Sequence, residues 1–117
     1  MVSLDVSGCP NLNDLSISWL AAGLDGLQVL KMSDCPGNFE LGCRNLGHLK
    51  FLTELDISSC PGFTDKALEY MALGGSGRQL RILKFRNMSG ASDTGIHEFV
   101  TSCTKLHDLD VSGSTNL

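Results

Sequence analysis

Three cysteines recur at nearly equal distance, Cys9, Cys35 and Cys60, at steps of 26 and 25 residues. Each is followed directly by one of the chain's three prolines, Pro10, Pro36 and Pro61. Thiols in a regular array can pair as disulfides, hold a metal or act as nucleophiles. The pattern suits none of these. The five cysteines are an odd number, and none stand in a CxxC arrangement. A zinc site wants four converging ligands, and His48, His97 and His107 share no spacing with the thiols. Thiols that occupy the same point of a repeated phrase all point the same way, into a core, where Cys serves as a small hydrophobe. Ser7, Ser33 and Asp5 fall near one another, but no histidine stands on those strands to act as a base. Neither GxxxxGK[ST] nor GxSxG occurs. The reading is a non-enzymatic chain without cofactor or metal, holding free thiols in a reducing, intracellular compartment (cytoplasm, nucleus or cilium).

The elements that position these residues are repeated. Leu4, Leu30, Leu55, Leu83 and Leu109 anchor one phrase five times, in SLDVSGC, VLKMSDC, ELDISSC, ILKFRNM and DLDVSGS. Two positions after each anchor stands Val6, Met32, Ile57, Phe85 or Val111, and three before it Met1, Leu27, Leu52, Leu80 or Leu106. This alternation predicts a short strand with one buried face. Five positions after the anchor come Cys9, Cys35, Cys60, Met88 and Ser114. Proline, which cannot donate to a ladder, is expected to stop the strand there. Helices are expected to begin at Asn13-Asp14, Phe39-Glu40, Thr64-Asp65 and Ser92-Asp93, since Asn, Thr and Ser are good N-caps and an acid suits the helix start. Gly74-Gly75-Ser76-Gly77 reads as a flexible loop that lengthens the third unit.

The pattern LxxLxLxxC followed by a capped helix resembles the leucine-rich repeat, in its cysteine-containing class. Leu27 to Cys35 and Leu52 to Cys60 carry it at every key position, and Leu80 to Phe85 match as far as the cysteine. Cys103 resembles the second Cys of that class; Leu24, Leu49 and Gly77 depart from it, as Met88 and Ser114 do at the first. The resemblance implies an α/β fold: a leucine-rich repeat solenoid, a right-handed β-α superhelix with a parallel sheet on the concave face and helices on the convex face. About 4.5 repeats are expected in residues 1–117, at 1–26, 27–51, 52–79, 80–105 and a partial 106–117. Such units bury their apolar faces by stacking. With no polar capping repeat at either end, the segment is expected to be part of a longer solenoid or to be capped by neighbouring subunits.

On the strand face three columns follow: Ser3, Val29, Glu54, Ile82, Asp108; then Asp5, Lys31, Asp56, Lys84, Asp110; then Ser7, Ser33, Ser58, Arg86, Ser112. The middle column alternates in sign. It is either a self-neutralising ladder or a charged docking surface, and the two are compatible. Arg86 has no acidic neighbour within its column, and Val29 and Ile82 are apolar on a face that should be polar. An Arg beside aliphatics suits an interface hot spot, and a solvated face with two scattered apolar residues fits as well. The candidate partner-binding residues are Val29, Lys31, Glu54, Asp56, Ile82, Lys84, Arg86, Asp108 and Asp110. Trp19 and Tyr70 fall on the outer side of their helices, where either could anchor a lateral contact, though partial burial against a neighbouring helix is expected.

A net charge of -4 argues against a general nucleic-acid surface, and no apolar run is long enough to span a bilayer. No basic-then-apolar leader follows Met1, so no signal peptide is expected. The partners expected are proteins, with no nucleic acid and no membrane. The resemblance implies a substrate-recognition region like that of the F-box receptors of ubiquitin ligases; the alternative is a structural subunit of a large assembly, such as a ciliary axoneme or a mitochondrial complex. A third reading, an RNA or phosphate binder through Arg78, Arg81, Lys84 and Arg86, is disfavoured by the acidic balance.

Overall fold

The computed structural model describes residues 2–111. Each anchor leucine sits at the centre of a three-residue strand: β1 (Ser3–Asp5), β2 (Val29–Lys31), β3 (Glu54–Asp56), β4 (Ile82–Lys84) and β5 (Asp108–Asp110). The strands form one parallel sheet in chain order, with Leu4, Leu30, Leu55, Leu83 and Leu109 abreast. The alignment expected from the phrases is the register found. Between the strands lie α1 (Asp14–Gly23), α2 (Gly42–Leu46), α3 (Asp65–Gly74) and α4 (Asp93–Ser102). Met1, Ser112 and Ser114, placed above in the repeat pattern, lie outside the described residues.

The core is the seam between the leucine face of the sheet and the helices. In the third unit Leu52, Leu55, Ile57, Cys60, Phe63, Ala67, Leu68 and Met71 are all buried, and each large aliphatic among them contributes about 1.5–3 kcal/mol by leaving water. Phe39 packs on Phe63 with ring centroids 5.2 Å apart, and Phe85 on Phe99 at 5.7 Å. Leu109, on an outer strand with one neighbour, is 40% exposed, whereas Leu30, Leu55 and Leu83 are sealed.

Three helix starts follow the side chains that cap them. Asn13 Oδ1 accepts from the Ser16 N–H (3.1 Å), Thr64 Oγ1 from Ala67 (3.3 Å) and Ser92 Oγ from Gly95 (3.3 Å). α2 departs from expectation: it begins at Gly42 rather than Phe39-Glu40 and runs only five residues. Phe39 turns inward onto Phe63, and the Glu40 N–H is taken by Asn38 Oδ1 at 3.2 Å. The helix start is capped from the preceding unit instead, where Asp14 Oδ1 accepts from the Gly42 N–H at 2.7 Å.

Two further expectations are corrected. The prolines do not end the strands. Gly8, Asp34, Ser59 and Asn87, one residue before the Cys or Met of each phrase, have φ of 76°, 58°, 58° and 57°, and this left-handed residue turns the chain. Gly74 to Gly77 is not a flexible loop either. Gly75 (φ 86°) caps α3, and Ser76–Gln79 form a 3-10 turn in which Ser76 and Gly77 are buried. The extra residues of this unit are absorbed as ordered structure, with the Ser76 hydroxyl donating to the Met71 carbonyl at 3.4 Å.

Candidate interaction surface on the strand face

The register lays the predicted columns side by side. Ser3, Val29, Glu54, Ile82 and Asp108 form one rung-to-rung row and Asp5, Lys31, Asp56, Lys84 and Asp110 the next. Two ion pairs run diagonally across the columns: Lys31 Nζ to Glu54 Oε2 at 3.8 Å and Arg86 Nε to Asp110 Oδ2 at 3.4 Å. Side-chain reach explains the diagonal. Asp5 and Asp56 turn their carboxylates to the strand ends, where each accepts from the N–H two residues on, Ser7 and Ser58, at 3.0 Å. The Ser7 hydroxyl and N–H together hold the Asp5 carboxyl below the usual carboxylate range. Arg86 therefore has an acidic neighbour, one column over. Val29, expected as an exposed aliphatic, is 9% exposed: the Lys31–Glu54 pair joins the two residues that flank it, one along the strand and one across. Ile82 is half-buried, and Arg86 and Asp108 are exposed.

The serine column is structural as well as polar. Ser7 Oγ accepts from the Ser33 N–H at 3.1 Å, and Ser58 Oγ from the Arg86 N–H at 3.0 Å. Where the strands end, a polar hollow of about 300 Å³ is lined by Ser33, Asp34, Asp56, Ser58, Ser59, Arg86 and Asn87. Asp56 and Arg86 belong to the predicted set. Asp34, Ser59 and Asn87 were missed, and their signal is the small or polar residue standing just before each Cys or Met. The hollow brings carboxylates, a guanidinium and an amide to one opening, a set suited to charge-assisted hydrogen bonds with another polar surface.

The thiols do something different. Cys60 Sγ donates to the Met32 carbonyl at 2.9 Å and accepts from the Cys35 N–H at 3.5 Å, while Cys35 Sγ donates to the Val6 carbonyl at 3.4 Å. They bridge consecutive turns. All five cysteines are free, and only Cys9 is not buried. Burial pushes the Cys60 thiol up to about 12 and Cys103 to about 11, and raises Cys43 further still. A thiol held protonated is a poor nucleophile and a poor metal ligand. Among the described residues no three His, Cys, Asp or Glu side chains converge as metal ligands, and no helix is long and apolar enough to cross a membrane. Trp19 stays 70% exposed instead of packing on a neighbouring helix. Tyr70 is half-buried and carries the Arg44 guanidinium 4.6 Å above its ring centroid.

Comparison with known proteins fits this architecture. A family model of the leucine-rich repeat matches residues 48–72. A Caenorhabditis elegans protein, EEED8.10, which carries a provisional RNA-binding name, is 30% identical over 106 residues, or 88% of this chain. The chain spans 14% of that relative's length. This chain thus carries a leucine-rich repeat, with β3 and most of α3 as the matched unit.

Proposed function

We propose that the chain is a protein-binding module: a leucine-rich repeat solenoid of about 4.5 units that holds its partner on the concave strand face. The observation that carries this reading is the polar hollow where Asp56 and Arg86 meet Asp34 and Asn87 at the strand ends. Leucine-rich repeats present extended surfaces of this kind to proteins. The finer reading is the client-holding part of a ubiquitin-ligase receptor of the F-box type. The alternative is a fixed subunit of an axonemal or mitochondrial assembly. The RNA-binding name belongs to a protein of which this chain spans a small part, and does not by itself bring RNA to the strand face.

The test is Arg86→Glu in the intact native protein, with Glu98→Arg, at an exposed position of α4, as a control. Mass spectrometry of copurifying proteins should show a partner set lost with Arg86→Glu and retained with the control. The melting temperature should hardly move, because an exposed ion pair is worth ~0–1 kcal/mol. Cullin-type components with varied clients would identify the receptor, and a constant set of structural proteins the subunit. Unchanged recovery with Arg86→Glu would remove the hollow from the binding site.

A further inference from the structure

The acidic balance of the chain hides two poles. Where strands end and helices begin, the edge of the molecule carries Asp14, Asp34, Glu40, Asp65 and Asp93 against Lys66 and Arg86. Where helices end and strands begin, three successive connections, 47–53, 75–81 and 103–107, carry Lys50, Arg78, Arg81 and Lys105 and no acid, although Glu54 and Asp108 open the strands that follow two of them. His48 and His107 stand in the same loops. The first such loop differs, with Asp25.

These cations are neighbours. A hollow of about 220 Å³ is lined by Lys50, Gly74, Gly75, Arg78 and Gln79. A second, of about 330 Å³, is lined by Gln28, Lys50, Phe51, Thr53 and Gln79, so the two share Lys50 and Gln79. Lys105 Nζ donates to Gln79 Oε1 at 3.3 Å, which ties the next unit to the same row. Arg81 is placed beside Thr53 by the bond from its N–H to the Thr53 carbonyl at 2.8 Å. Phe51 stands 64% exposed in this setting.

Helix-dipole compensation does not account for the row. Cations that serve the dipole sit in the last helical turn, and α1, α3 and α4 have none there; of the row only Arg78 is so placed, in the four-residue 3-10 turn. Among the described residues no ion pair engages Lys50, Arg78, Arg81 or Lys105. A protein interface centres on a desolvated apolar patch, whereas this edge offers one ring among cations and amides. Unpaired cations recurring from unit to unit, at a strand spacing of about 4.8 Å, match a polymer with a regularly repeated negative charge.

We propose that this edge, formed by Lys50, Phe51, Arg78, Gln79, Arg81 and Lys105, binds single-stranded nucleic acid. The cations lie along the phosphodiester backbone and Phe51 stacks under one base, the combination by which single strands are held without sequence preference. The proposal goes beyond the strand-face reading and uses a different surface, so either stands without the other.

The experiment is fluorescence anisotropy with labelled oligo(U) and oligo(dT) of about 15 nucleotides, long enough for one such site, titrated against salt. Four phosphate contacts predict a slope of log Kobs on log salt of about -2.8. Reversing Lys50, Arg78 and Lys105 to Glu should flatten it by about 2 and abolish binding at physiological salt. Phe51→Ala should weaken binding roughly tenfold and leave the slope unchanged. Tighter binding of either oligonucleotide supports the proposal and reports the preferred sugar. Circular dichroism of the triple variant checks its fold, and exposed Phe51→Ala keeps the test decisive if that variant is unfolded. The proposal is overturned if neither oligonucleotide binds, if the Phe51 variant binds as the parent does, if a polyglutamate of equal length binds as tightly, or if Arg86→Glu rather than the edge variants removes binding.

Discussion

Asp65 couples the third unit to the fourth, and its removal should expose a clash that the native fold avoids. Its Oδ1 accepts from the Ser92 N–H at 2.7 Å and its Oδ2 from the Ser92 hydroxyl at 2.5 Å. Ser92 is the residue that caps α4. Hydrogen bonds to a carboxylate are worth about 1.5–3 kcal/mol when sheltered. This pair is exposed, so about 2 kcal/mol in total is the appropriate figure for Asp65→Ala. The same carboxylate fills the space in which a Cβ on Gly95 would stand. Gly95→Ala in the parent must therefore evict it. The loss of about 2 kcal/mol is offset by about 0.5–1 kcal/mol gained from replacing a helical glycine. With Asp65 already replaced by alanine the carboxylate is gone and only the Cβ at position 65 stays close, 3.0 Å from the added methyl, so Gly95→Ala should stabilise by up to about 0.5–1 kcal/mol. The sign of one substitution inverts with the other, a coupling of about 2 kcal/mol in a double-mutant cycle. Urea unfolding of the four proteins measures it. Equal effects of Gly95→Ala in both backgrounds, within about 0.5 kcal/mol, would show that the carboxylate does not hold the start of α4.

Leu55, sealed at the centre of the sheet, should cost ~2–5 kcal/mol on truncation to Ala by denaturant unfolding, and a much smaller loss would refute the register. Iodoacetamide applied to the native protein near neutral pH should label Cys9 first, and the buried Cys35, Cys43, Cys60 and Cys103 only as the chain unfolds; equal labelling of all five would contradict the buried ladder. Stability should fall as pH rises from 9.0 towards 12, because unfolded thiols ionise there while folded Cys60 and Cys103, raised to about 12 and about 11, keep their protons. The fall should be shallower in Cys60→Ala, and an identical profile would remove Cys60 as a cause. Ser59→Gly should raise the unfolding midpoint, by about 0.5–1 kcal/mol in stability, since Ser59 holds φ 58° without being glycine; a loss would mean that its contact with the Asn87 amide outweighs the strain.

The legible parts of the fold are those in which one residue's type decides its own placement. Alternating apolar residues around each leucine carry the register, since a slip of one would turn every buried side chain outward. Asn13, Thr64 and Ser92 announce their helices because the capping atom lies in the cap residue itself. The illegible parts depend on a residue one unit away. α2 starts late because Asp14 reaches Gly42 across 28 positions. Gly37, Gly62 and Gly90, two residues after Cys35, Cys60 and Met88, are required because a Cβ there would fall on the backbone carbonyls of Leu12, Gly37 and Pro61 in the preceding turn. The prolines beside them looked like the strand stops, yet the turn is made by Asp34 and Ser59, types that give little warning of a left-handed backbone.

Charge shows the same division most clearly. Composition sums the chain to -4 and so excludes a protein that is basic overall, but each unit visits both edges of the molecule once. Acids gather near helix starts and the cations of the last three connections near strand starts, because stacking brings every strand start to one side; Lys66 and Arg86 on the acidic side and Glu54 and Asp108 at strand starts are the exceptions. The poles are therefore a product of the register, and a shift of phase in any one unit would mix them. On the strand face the correction runs the other way. Arg86 stood alone in its column, yet Asp110 lies a diagonal step away, within 3.4 Å. A column names the residues that share a row of the sheet, and the length of Arg and Lys side chains decides which of the neighbouring rows they pair with. That reach pairs Arg86 with Asp110 at the rim of the hollow, while Lys50, Arg78 and Lys105 on the edge form no ion pair among the described residues.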